Sequence, residues 1–188
     1  MDGKKVGVLA LQGDFSLHIK MLNTLGIESK EVKKIEDLKE LTHLIIPGGE
    51  STTLLNFFQK ENWFEPLKDF SRKNKVMGTC AGAILLAEEV ENPQQESLKV
   101  IPMKIRRNGY GRQVDSFIKK IEKHSFGEKP IEGVFIRAPR IISIKEGVKV
   151  LAEINGEPVA VEYKNALALT FHPEVSEEEA VYKYFLRI

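Results

Sequence analysis

Apolar positions along the chain follow two rhythms. Residues 5–11 alternate and β-branch like a short buried strand. After them Phe15, Ile19, Leu22 and Leu25 fall three and four apart, the spacing of one helix face, and Gly26 offers a stop. Leu44-Ile45-Ile46 is a second strand, closed by a Pro-Gly-Gly turn. Ser51-Thr52-Thr53 can then cap a helix carrying Leu54, Leu55, Phe57 and Phe58, with Ser51 as the N-cap. Pro66 suits the first turn of another helix. Val76-Met77-Gly78 reads as a third buried strand, and residues 83–89 as a helix.

The first half thus reads β-α-β-α-β-α, the pattern of a parallel sheet with helices on both faces. The second half predicts short strands at residues 99–105, 114–122, 134–137, 141–144, 148–154, 159–163 and 166–171, read as antiparallel additions at one edge of the sheet. Ser176-Glu177-Glu178-Glu179 has the form of a capping box opening a last helix. No repeat or linker divides the sequence. The expected fold is a three-layer α/β arrangement, with a mostly parallel central sheet, in one domain over residues 1–188.

Composition narrows the function. Among 188 residues, 28 Lys and Arg balance 27 Asp and Glu, which argues against a strongly basic nucleic-acid binder. A single cysteine excludes an intramolecular disulfide and a multi-cysteine zinc site, and no clustered set has metal-ligand spacing. No metal or cofactor is expected. No apolar run is long enough to span a bilayer, and the expected compartment is the cytoplasm.

Three segments carry candidate chemistry, each at the end of a predicted strand, where ligands gather in open α/β sheets. In Gly78-Thr79-Cys80-Ala81-Gly82, small residues flank the lone cysteine at a strand-to-helix turn. Such a turn can hold its central residue in a strained conformation and expose it. It also sets the sulfur at a helix N-terminus, with the Ala81 N–H placed to receive an oxyanion. A lone cysteine is more often a small buried hydrophobe, so the turn needs a base beside it to become chemistry. Of His18, His43, His124 and His172, the first three read as structural or solvated. His172 follows a strand and precedes Pro173, and Glu174, two residues on in extended chain, points to the same side and can fix its tautomer. In Pro47-Gly48-Gly49-Glu50-Ser51-Thr52, glycines let backbone N–H groups approach a ligand. This loop lacks the Gly-Lys-Ser/Thr of a P-loop and the three-glycine dinucleotide fingerprint.

Together these pieces resemble the class I glutamine amidotransferases, with their Gly-x-Cys-x-Gly elbow and His-Pro-Glu near the C-terminus. The resemblance runs from about Val6 to the last helix. Within the family, Pro47-Gly48-Gly49-Glu50-Ser51-Thr52 and Gly111-Arg112-Gln113-Val114-Asp115-Ser116-Phe117 are most similar to the glutaminase subunits of pyridoxal 5′-phosphate synthase. The resemblance implies hydrolysis of L-glutamine by Cys80, His172 and Glu174, with an oxyanion hole from Ala81, Gly48 and Gly49. It implies glutamine binding by Gly49, Glu50, Ser51, Arg107, Ile136 and Arg137, and coupling to a synthase subunit through Gln12 and Gly13. Arg112, Gln113 and Asp115 are expected to fix an added strand. The sequence departs from the family at Gly109, where Ser or Ala is usual. A glutaminase of another pathway, a stand-alone cysteine amidase and a non-catalytic subunit are the competing readings.

Overall fold

The computed structural model describes residues 3–110 and 116–187. Arg112, Gln113 and Asp115 lie outside the described residues. In chain order the elements are β1 (Val6–Leu9), α1 (Phe15–Thr24), β2 (Ser29–Val32), β3 (His43–Ile46), α2 (Ser51–Lys60), α3 (Phe64–Lys73), β4 (Lys75–Thr79), α4 (Ala81–Leu86), β5 (Ala87–Glu91), β6 (Ile101–Arg106), β7 (Ser116–Ile121), β8 (Lys123–His124), β9 (Ile131–Ile136), β10 (Arg140–Ile144), β11 (Lys149–Ile154), β12 (Glu157–Tyr163), β13 (Ala166–Leu169) and α5 (Glu179–Phe185).

The central sheet has eight strands in the order β2-β1-β3-β4-β13-β12-β11-β8. The run from β2 to β13 is parallel, and β12, β11 and β8 continue it antiparallel. Successive side chains of the inner strands leave by opposite faces. Leu44, Ile46, Val76, Ala166 and Ala168 pack with Leu54, Phe58, Leu67, Phe70 and Leu85 of α2, α3 and α4. Ile45, Met77, Leu167 and Leu169 pack with Met21 and Leu22 of α1 and with Val181, Tyr182 and Phe185 of α5. Both faces are covered, as a near-continuous apolar strand requires. Among the described residues no helix is long and apolar enough to cross a membrane.

Several local expectations need correction. The helix expected over residues 83–89 stops at Leu86, and Ala87–Glu91 is β5, paired in parallel with β6. The last helical carbonyls find other donors, since Leu98 N and Val100 N donate to Leu85 O and Leu86 O. The N-cap of α2 is Glu50 rather than Ser51, and its carboxylate accepts from the Thr52 and Thr53 N–H groups at 3.0 and 2.6 Å. The capping box before α5 does not form: Glu178 is the N-cap without a side-chain bond, and Ser176 Oγ donates to Glu132 O. Not all late strands extend the main sheet. Strands β10, β6 and β5 make a separate three-stranded sheet, and β7 with β9 a two-stranded ribbon. Strand β2 was not foreseen, because only Val32 of its four residues is buried.

Candidate active site

Four neighbouring parallel strands, β1, β3, β4 and β13, end at one edge of the sheet, and the loop after each reaches one cleft. The pairing sets this directly. Ile46 of β3 lies opposite Gly78 of β4, and Leu169 of β13 opposite Thr79. Residues one to three positions beyond those strands therefore come together without long side chains having to bridge.

Cys80 occupies the turn between β4 and α4 with φ 47° and ψ −102°, a backbone state a non-glycine residue adopts only under constraint. Its N–H donates to Leu169 O at 2.9 Å, which ties the elbow to β13. Close packing around the turn demands small residues. A Cβ on Gly82 would lie 2.0 Å from Ile46 O. Cys80 is 7% exposed, its sulfur 3.9 Å from Ile136 O, and the Ala81 N–H opens α4 beside it.

His172 and Glu174 meet as the sequence spacing predicts, with Nδ1 2.7 Å from Oε1 and both side chains buried. The His172 N–H donates to Val134 O at 2.8 Å, so strand β9 fixes this segment from the side. Burial opposes a charge on His172, but the adjacent Cys80 sulfur and Glu174 carboxylate outweigh it and push its pKa up to about 10. Burial likewise opposes charge on Glu174, yet His18 and His172 hold it below the usual carboxylate value. Among the described residues, His172 Nε2 has no hydrogen-bond partner, which leaves it for chemistry on the cleft side.

The Gly48-Gly49 loop closes over this pair. A Cβ on Gly48 would lie 2.5 Å from His172 Cε1 and 3.3 Å from Cys80 Cβ, so only glycine lets the backbone come so near both groups. Gln12 and Gly13, after β1, brace the same loop from behind. Gln12 Oε1 accepts from Glu50 N at 3.2 Å, and Gly13 lies against the Gly48 carbonyl.

The cleft has a volume of about 220 Å³. It is lined by Cys80 and His172 and by all six residues expected to bind glutamine: Gly49, Glu50, Ser51, Arg107, Ile136 and Arg137. Arg107 donates from Nη2 to Thr52 Oγ1 at 3.0 Å and lies 3.9 Å from Glu50. Hydrogen bonds from Thr53 and Thr52 outweigh burial and bring the Glu50 carboxyl down to about 2, so it is a fixed anion at the rim. Arg137 has φ 45° and Asn108 φ 47°, two more constrained positions on the same wall. Gly109 follows with no room for a side chain, since a Cβ would lie 2.4 Å from Arg140 Cγ.

Three lining residues escaped the sequence reading: Asp14, Ile84 and Asn108. Asp14 opens α1 directly after the Gln12-Gly13 loop, and no motif marks it. His18, which reads from the sequence as structural or solvated, is buried with Nε2 3.5 Å from Glu174 Oε2. Asp14, His172 and Glu174 bring ligand atoms within 4.8 Å of one another, and within this group Glu174 Oε1 already engages Nδ1 of His172.

This arrangement is a thiol, an imidazole and a carboxylate in series beside a glycine loop, and it can attack a carbonyl and stabilise the resulting oxyanion. The SNO glutamine amidotransferase family matches residues 8–188. The chain belongs to that family. Relatives of the SNO family agree over nearly the full length. Pyridoxal 5′-phosphate synthase subunit PdxT of Thermosipho africanus is 46% identical, covering 98% of both chains. The PdxT subunit of Pyrococcus abyssi is 46% identical, covering 97% of this chain and 98% of that one. A crystal structure of a glutamine amidotransferase superposes with TM-score 0.91 at 44% identity, covering 97% of each chain. PurLQS from Thermotoga maritima, at 19% identity and TM-score 0.66 over 98% of each chain, shares the fold.

Proposed function

We propose that this SNO-family amidotransferase is the glutaminase subunit of a pyridoxal 5′-phosphate synthase. It hydrolyses L-glutamine to glutamate and ammonia in the cytoplasm and hands the ammonia to a separate synthase subunit. The observation that carries the chemistry is the convergence of Cys80, His172 and Glu174 on one cleft under the Gly48-Gly49 loop. The near full-length likeness to PdxT subunits supports the pathway.

His172, its pKa pushed up to about 10, already holds the Cys80 proton, and the Cys80 thiolate attacks the side-chain amide carbon of glutamine. The tetrahedral oxyanion is received by backbone N–H groups of Ala81 and the Gly48-Gly49 loop. The C–N bond then breaks as His172 returns the proton to the departing nitrogen, giving ammonia and a glutamyl thioester on Cys80. His172 next takes a proton from water, the hydroxide adds to the thioester, and glutamate leaves as the Cys80 thiolate re-forms beside the protonated His172. Glu174 keeps the imidazole in the tautomer both steps need. Arg107 and Arg137 suit the α-carboxylate of the substrate, and Glu50 its α-ammonium, with Gly49, Ser51 and the Ile136 backbone completing the site.

Ammonia set free in neutral water is mostly protonated and no longer a nucleophile, so release is expected to depend on docking. Gln12 and Gly13, braced against the oxyanion loop, are the route by which docking reaches the site. Ammonia release from L-glutamine is measured with and without the synthase subunit. Release that rises on adding it supports the reading. Equal release in both overturns the coupling, and none in either overturns the assigned pathway.

A further inference from the structure

His18 is fully buried behind the triad, on the face of α1 turned toward α5. Its Nδ1 lies 2.7 Å from the Tyr182 hydroxyl. Its Nε2 faces Thr79 Oγ1 at 3.3 Å and Glu174 Oε2 at 3.5 Å. Glu174 spends Oε1 on His172, and among the described residues its buried Oε2 has no hydrogen-bond partner at ordinary distance. A carboxylate oxygen in that state is costly unless a donor is aimed at it. His18 Nε2 is so aimed.

The contacts around the ring favour one tautomer. Burial pushes His18 down, against the opposite pull of Glu174, which favours the neutral ring with one proton. Burial, then the Glu174 charge, raise Tyr182 well above the ordinary phenol value, so its hydroxyl keeps its proton to donate. A Tyr182 O–H donating to Nδ1 puts the ring proton on Nε2, facing the carboxylate. The other tautomer would turn a lone pair on Nε2 toward the lone pairs of Oε2. Neutrality matters as well, because a charged His18 would compete with His172 for Glu174 and repel it.

We propose that His18 is a positioning residue for the triad: its Nε2–H, set by Tyr182, holds the second oxygen of Glu174 so that the first stays on Nδ1 of His172. Among the described residues the groups facing this carboxylate are His18 and Asp14 from α1 and its start, Tyr182 from α5, and His172 from the loop after β13. The inference rests on the triad roles proposed above.

The test compares His18→Leu, which removes the donor, with His18→Gln, whose amide N–H replaces Nε2. Glutaminase activity is assayed with the synthase subunit present. His18→Leu is expected to lower kcat about 10- to 100-fold with KM for glutamine unchanged, as loss of a supporting hydrogen bond commonly does. The acid limb of its kcat/KM profile is expected to move up by about one pH unit, because Glu174 becomes easier to protonate. His18→Gln is expected to recover most of both. Wild-type kcat and an unmoved acid limb in His18→Leu would overturn the inference, as would equal loss in the Leu and Gln variants. If His18→Leu does not fold, Tyr182→Phe carries the test, since it removes only the hydroxyl that sets the tautomer. A Tyr182→Phe enzyme with wild-type kcat and acid limb would overturn it. Activity surviving Cys80→Ala would instead overturn the triad reading itself, so the two failures are distinct.

Discussion

Cys80→Ala is expected to abolish ammonia release from L-glutamine, by at least about 10⁴-fold in kcat, while the protein stays folded. The residue is the only sulfur nucleophile in the chain. His172 Nε2 has no other partner among the described residues, so no second nucleophile stands ready beside it. The elbow adds a stability signature to this prediction. At φ 47° and ψ −102° a side chain is held in a state that costs roughly 1–3 kcal/mol, and alanine keeps that strain whereas glycine releases it. Cys80→Gly is therefore expected to be equally inactive but more resistant to urea than Cys80→Ala, by about 1 kcal/mol. Equal unfolding midpoints for the two variants would show that the elbow stores no strain.

Glu174→Gln is expected to lower kcat by about 10²–10⁴-fold, the range seen when the orienting carboxylate of a triad is neutralised. Its KM for glutamine should change little, because Glu174 lies behind His172 and does not line the cleft. Stability responds too. Removing one member of a buried charged pair leaves the other uncompensated, at a cost of about 3 kcal/mol. The pH window follows from the shifts. His172 rises from 6.5 to about 10 in the fold, so its pairing contributes fully below about 6.5 and is lost as pH climbs through 10. Glu174 sits below its ordinary 4.5, so its contribution is present above that value and lost as pH falls. The gap in urea stability between wild type and Glu174→Gln is thus widest between about pH 4.5 and 6.5 and narrows toward pH 10. A gap that does not vary with pH would mean that Glu174 is held as a packed polar group and not as a charge partner.

The placement of the three proposed triad residues was legible because they sit next to strand ends. Cys80 and His172 are each within three residues of strands whose apolar character is plain, and parallel pairing of those strands does the rest. His18 was not legible, because what makes it matter is contact with Tyr182, 164 positions away, and Thr79, 61 positions away. An amphipathic helix pattern says only that such a histidine faces inward. The fold divides in the same way. The inner strands announced themselves by unbroken apolar runs, whereas β2 is mostly exposed and depends on its register with β1 for its conformation. The local signal for a helix through residue 89 was overridden by the parallel pairing of β5 with β6. The later strands are short runs of similar apolar character, so nothing local in them says which join the main sheet and which form the separate sheet and the ribbon.

Covalent catalysis at Cys80 is read most directly from the mass of the protein after rapid acid quench during turnover of L-glutamine with the synthase subunit present. One glutamyl group is expected on a fraction of the chains, mapped by peptide mass to the segment holding Cys80 and absent in Cys80→Ala. Turnover with no adduct on Cys80, or with the adduct on another residue, would contradict it.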